Sequence, residues 1–257
     1  MKKASRAPQR KIRKKTTRHS AAPKREPHKS ATPAGTNPSR VRAILQKLDE
    51  AYPAASCELK HDNAFQLLIC TILSAQCTDV RVNIVTPALF AAYPTPEALA
   101  YANPRDIEAA IRSTGFFRSK TKSILGASKK IVTEFGGQVP RTMEQLLTLP
   151  GVARKTANVV LGVAYGIPAG VVVDTHVLRI SKRLDFTTHD EPKKVEQDLM
   201  AIIPQEKWIL FSHQIIWHGR KLCIARKPKC AECLLESICH AEDKTWSTVE
   251  THKGAKV

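Results

Sequence analysis

Acidic residues are in short supply in this sequence: 41 Lys+Arg stand against 23 Asp+Glu, a formal charge of +18 over 257 residues. A chain so poor in negative charge expects an anionic partner, and nucleic acid heads the candidates. Long apolar runs are missing as well. The longest uncharged stretch, 156–173, is interrupted by Gly162, Gly166, Pro168 and Gly170. It reads as a buried helix, a turn and a short extended segment, not as a membrane span. Alternating strand patterns are nearly absent, and the three valines at 171–173 are too few for a sheet. The seven cysteines are an odd number and no apolar secretory signal is visible, so a disulfide framework is not expected. What is present is 42% apolar residues, enough for a real core. That excludes a wholly disordered polycation and the collagenous and disulfide-stapled classes.

The charge is unevenly placed. Residues 1–38 hold twelve Lys/Arg and one acid, Glu26, a balance of +11 that leaves +7 from Ser39 onward. This stretch has no aromatic residue and cannot offset its ordering entropy by burial, so it reads as a disordered basic arm, a loose clamp on phosphates. An organellar address and an inert extension are the alternatives, and the expected location is cytoplasmic, with the nucleoid.

From Ser39 the periodicity is helical almost throughout, which predicts an all-α fold. Val41, Ile44, Leu45 and Leu48 mark one helix that Tyr52-Pro53 ends, and Phe65, Leu68, Ile69 and Ile72 mark a second. Thr78 or Asp79 would cap a third, and Pro96 and Pro104 fit the first turns of short ones. Ser119 is expected to open a longer helix ending at Gly136-Gly137. Further helices are predicted at 142–149, 153–165, 176–184, 191–202 and 204–220.

Four cysteines fall close together: Cys223, Cys230, Cys233 and Cys239, spaced C-x6-C-x2-C-x5-C. Thiolates this near one another, on a loop with Pro228, read as four ligands to one soft metal centre. Structural zinc competes with an iron–sulfur cluster, although four-Cys zinc sites usually show two short pairs and only 230/233 qualifies here. Arg226, Lys227 and Lys229 in the loop could meet a phosphate backbone, or simply be solvated. Cys57, Cys70 and Cys77 have apolar helical surroundings and read as core.

The most informative segment is Leu-Pro-Gly-Val-Ala-Arg-Lys-Thr-Ala at 149–157. Pro150 pre-sets its φ and Gly151 can take a positive one, so the chain reverses tightly between two helices. The amides around Leu149, Gly151, Val152, Ala153 and Arg154 would then point outward and could bind phosphate. An ordinary αα-hairpin is the alternative. Lys155 lies in the first turn of the second helix, where the positive helix end, Arg154 and burial against substrate would favour a neutral, nucleophilic amine. It could equally be one more phosphate contact. Asp174 precedes Thr175-His176 at the start of another helix; it reads as an N-cap, as a carboxylate serving a cationic sugar, or as both.

Taken together these residues resemble the endonuclease III family of DNA glycosylases and AP lyases, over roughly 39–242. The hairpin, Val-Asp-Thr-His at 173–176, the cysteine run, Ile-Leu-Ser-Ala-Gln-Cys-Thr-Asp at 72–79 and Thr-Gly-Phe-Phe-Arg-Ser-Lys at 114–120 carry the likeness. It implies a bifunctional base-excision enzyme, a monomer that removes oxidised pyrimidines from damaged double-stranded DNA by flipping the nucleotide out. Lys155 would form a Schiff base and β-elimination would follow, with Asp174 assisting. The four cysteines would hold a [4Fe–4S] cluster. Gln76 would fill the gap left by the flipped nucleotide, Phe116 would wedge into the stack, and His176 would join the DNA contacts. The implied architecture is a six-helix domain at 57–168 and a cluster domain of 39–56 with 169–246, followed by a tail at 247–257. Two positions depart from the family pattern. Ala153 stands where a second glycine is usual, which requires that residue to be near-helical, and Phe116 stands where Leu is common. A monofunctional glycosylase is disfavoured by the presence of Lys155 and the short chain after Cys239. A DNA-binding module without catalysis is the other rival.

Overall fold

The computed structural model describes residues 34–245, and every regular element among them is helical. Of the arm expected at 1–38, residues 1–33 lie outside the described residues, as does the tail at 247–257; Ala34–Thr36 form a 3-10 turn and Pro38 already begins the first helix, so the arm's last residues are ordered. Local sequence explains where most helices begin. Asn37 caps α1 (Pro38–Ala51), Asn63 caps α2 (Ala64–Leu73) and Thr78 caps α3 (Asp79–Ala92), each accepting a hydrogen bond from a first-turn amide. Thr95 and Asn103 do the same for α4 (Pro96–Ala100) and α5 (Pro104–Ile111), whose prolines sit at the first helical position. Gly136, in the left-handed region, ends α6 (Phe117–Phe135), and Gly166 ends α8 (Arg154–Tyr165). Between them lies α7 (Met143–Leu147). The remaining helices are α9 (Thr175–Arg183), α10 (Pro192–Ile202) and α11 (Trp208–Lys221).

Three expectations need correction. The long helix starts at Phe117 rather than Ser119, because Gly115 and Phe116 both have positive φ and turn the chain sharply into it. The last helix starts at Trp208; a 3-10 turn over Gln205–Lys207 takes up the residues after Pro204. Ala153 is extended, at φ −99° and ψ 172°, and not near-helical. Extended backbone is normal for a residue just before a helix and tolerates a Cβ, so alanine meets the hairpin's needs by a different route.

The buried apolar residues form two cores. α2 is buried on every face and runs through the middle of the first, among side chains of α3 to α8 such as Leu99, Ile107, Ile124 and Val160. An all-round apolar helix can only be central. The second core joins α1 to α9, α10 and α11 through Ile44, Leu48, Val177, Leu199, Phe211 and Ile215. Residues 171–173, buried and in neither helix nor strand, lead from α8 back into α9, and the Val172 amide donates to Ser212 Oγ at 3.0 Å. No helix among the described residues is long and apolar enough to cross a membrane.

Candidate functional site

The hairpin places its glycine under two constraints. Gly151 has φ +78°, and a Cβ there would fall 2.6 Å from the Ser123 Cβ on α6. Leu149 and Val152 turn their side chains into the first core, so only their backbone can face a partner. Ala153 has no side chain able to cap α8, which leaves the first-turn amides without that acceptor. Arg154 lies in that first turn, but its Nε donates to Glu196 Oε2 at 2.7 Å, and the Asn158 amide donates to the other oxygen at 2.8 Å. The Glu196 hydrogen bond raises the Arg154 pKa against a smaller lowering by burial. Glu196, on α10 and 4% exposed, was not singled out by sequence; its partner is distant in the chain and nothing local marks it.

In the first turn of α8, Lys155 is exposed and lines a pocket that Asp174 also lines. These two residues, nineteen positions apart, are thus brought to one place. Asp174 is half-buried, and its Oδ1 accepts from the His176 and Val177 amides at 2.8 Å each. It is therefore the cap of α9 and a pocket carboxylate at once. Burial lowers the His176 pKa, opposed by Asp174, and its Nδ1 lies 3.3 Å from Arg179 Nη2. The same pocket contains a charge cluster that sequence reading missed. Arg220 on α11 binds Glu58, and its Nη2 donates to Asp79 Oδ2 at 2.7 Å. The sequence allows either Thr78 or Asp79 as the cap; Thr78 has that role, which frees the Asp79 carboxylate for Arg220.

Two exposed residues stand out by backbone strain. Gln76 has φ +52° and Phe116 φ +47°, both left-handed without being glycine, and Phe116 is 67% exposed. That conformation costs an L-residue about 1–2 kcal/mol. It clusters where the surroundings over-determine the backbone for a purpose. Lys227 shares it, at φ +54°, in the cysteine loop, where Arg226, Lys227 and Lys229 are all exposed.

Cys223, Cys230, Cys233 and Cys239 ring a single pocket at the edge of the second core. Their chemistry fits a soft metal centre. Burial, with a smaller contribution from the neighbouring thiols, pushes the Cys233 thiol up to about 12. Burial also raises Cys223 and Cys239, so a bound cation is what would keep these three as thiolates. Arg183 Nη1 donates to Cys223 Sγ at 3.2 Å, which is the hydrogen bond a ligating thiolate needs.

A family description fits this assembly. The HhH-GPD superfamily base excision DNA repair protein family matches residues 69–205, which include the hairpin, Lys155 and Asp174. The chain belongs to that superfamily. As a member of the HhH-GPD superfamily it is a DNA glycosylase of base excision repair. Endonuclease III of Synechocystis sp. is 59% identical over 200 residues, which are 78% of this chain and 91% of that protein. Among solved structures, a non-covalent endonuclease III–DNA complex aligns with TM-score 0.76 at 44% identity, covering 79% of this HhH-GPD chain and 95% of its relative. A trapped covalent endonuclease III–DNA intermediate aligns with the same values.

Proposed function

We propose that this glycosylase is bifunctional: it removes oxidised pyrimidines from duplex DNA and then cuts the strand at the abasic site. The observation that carries the reading is the shared pocket of Lys155 and Asp174. Lys155 Nζ attacks C1′ of the flipped nucleotide as the glycosidic C–N bond breaks, and the base leaves carrying a proton. Opening of the sugar gives an imine between Nζ and C1′. Loss of the C2′ proton then expels the 3′ phosphate by breaking C3′–O3′, and water hydrolyses the imine. Asp174 is held by two backbone amides, so it can balance positive charge on the sugar and accept a proton without moving. The relative captured as a covalent intermediate on DNA supports an enzyme-bound step.

DNA is held, in this reading, by the amides of Gly151, Ala153 and the start of α8, by His176 and by the exposed Arg226, Lys227 and Lys229. Gln76 and Phe116 enter the stack, and the protein acts as a monomer. The two cores support a division into a domain at 57–168 and another made of 39–56 with 169–246. The four cysteines would hold a [4Fe–4S] cluster, which on binding ties the loop into one shape. Four thiols ring one pocket, and a polynuclear centre is favoured over one zinc ion because their spacing holds one short pair, 230/233, where four-Cys zinc sites usually show two.

Borohydride reduction during incubation with a lesion-bearing duplex tests the nucleophile. A covalent protein–DNA adduct is expected with the parent and none with Lys155→Ala. Equal cross-linking by both proteins would remove Lys155 from the role.

A further inference from the structure

Lys120 is a buried ammonium with no carboxylate beside it. It is 5% exposed, closes the first turn of α6, and takes part in no ion pair among those found in the described residues. Lysine is almost never buried unless paired, and a cation near a helix N-terminus opposes the helix dipole. Burial lowers its pKa accordingly, with only Cys77 acting the other way. For packing alone, an apolar side chain of similar length would serve better.

What the ammonium does is join two loops. Its Nζ donates to the Leu73 carbonyl at 2.8 Å and to the Thr114 carbonyl at 2.7 Å. Leu73 ends α2, three residues before Gln76; Thr114 ends a 3-10 turn, two residues before Phe116. Gln76 and Phe116 are exposed and left-handed, so their positions depend on where these loop ends are anchored. One turn further along α6, Ser123 lies against Gly151 of the hairpin. The first turns of α6 thus hold three partner-facing segments in fixed relation.

We propose that Lys120 is a positioning residue that sets the spacing of Gln76 and Phe116, and through it the opening of the DNA stack. The proposal rests on the reading of those two residues as the groups that enter the stack. A tether to backbone carbonyls suits this task, because it fixes the loop backbone and leaves the side chains free to insert.

The test compares two probes: a duplex carrying one 5-hydroxyuracil, and a single strand carrying an abasic site, which requires no unstacking. Lys120→Met should slow single-turnover cleavage of the duplex about tenfold or more, since small misplacements of positioning groups have effects of that size. Cleavage of the single strand should change less than about threefold by the same reasoning. Lys120→Arg keeps the charge but displaces the donors, and is expected to show the same selective loss if Lys120→Met folds poorly. In a Gln76→Ala/Phe116→Ala background, adding Lys120→Met should have little further effect on the duplex, because coupled residues do not act additively. Equal losses on both probes, or an undiminished loss in that background, would overturn the proposal. If Gln76→Ala/Phe116→Ala leaves duplex cleavage unchanged, the reading of those two residues fails first. If it slows cleavage and neither Lys120 variant does, the tether alone is wrong.

Discussion

Gly151 meets two demands that no other residue satisfies together: a positive φ and close approach to Ser123. Gly151→Ala should lower stability by about 2 kcal/mol, from left-handed strain and displacement of α6, and weaken duplex binding. Chemical denaturation and a binding titration check both effects; a variant as stable and as tight as the parent would show that the hairpin backbone is not constrained. At this scale the sequence was readable where chemistry follows from residue type. Lysine beside a Pro-Gly turn and four close cysteines declare themselves. The left-handed state of Gln76 and Phe116 does not, because neither residue type asks for it and the loop ends impose it.

Among the elements, caps and first-turn prolines made most helix starts legible, since those signals act within four residues. The start of α6 was not, because Ser119 is a good cap by type while Gly115 and Phe116 decide the turn by backbone. The pairing of α8 with α10 through Arg154 and Glu196 was equally hidden. It carries a prediction of its own. Arg154→Ala should destabilise the fold by about 2 kcal/mol, as expected for loss of a charge-assisted hydrogen bond to a buried carboxylate. The salt dependence of DNA binding should stay the same. If Arg154 instead served a phosphate, the log–log slope would become shallower by about 0.9 and stability would barely change. Denaturation curves and a salt titration of the same variant separate the two.

At the scale of the whole molecule, the cysteine loop closes the second core, with Cys223, Cys233 and Cys239 packed against it. Purified protein is expected to be yellow-brown and to contain iron. Removing the metal should loosen residues 223–239 and weaken DNA binding while leaving the first core folded. Elemental analysis with hydrogen exchange checks this, and a colourless protein with one bound zinc ion would displace the cluster.

By itself the sequence determined the helical class, the positions of most turns and the residue types able to do chemistry. All of these are written in spacings of a few residues, over which caps, glycine, proline and apolar periodicity act. Only the tertiary structure decided that Lys155 and Asp174 share a pocket with Arg220, and that Lys120 holds two loops at once. Contacts between distant segments leave no local mark, and a lysine bound to carbonyls least of all, because every residue offers that acceptor.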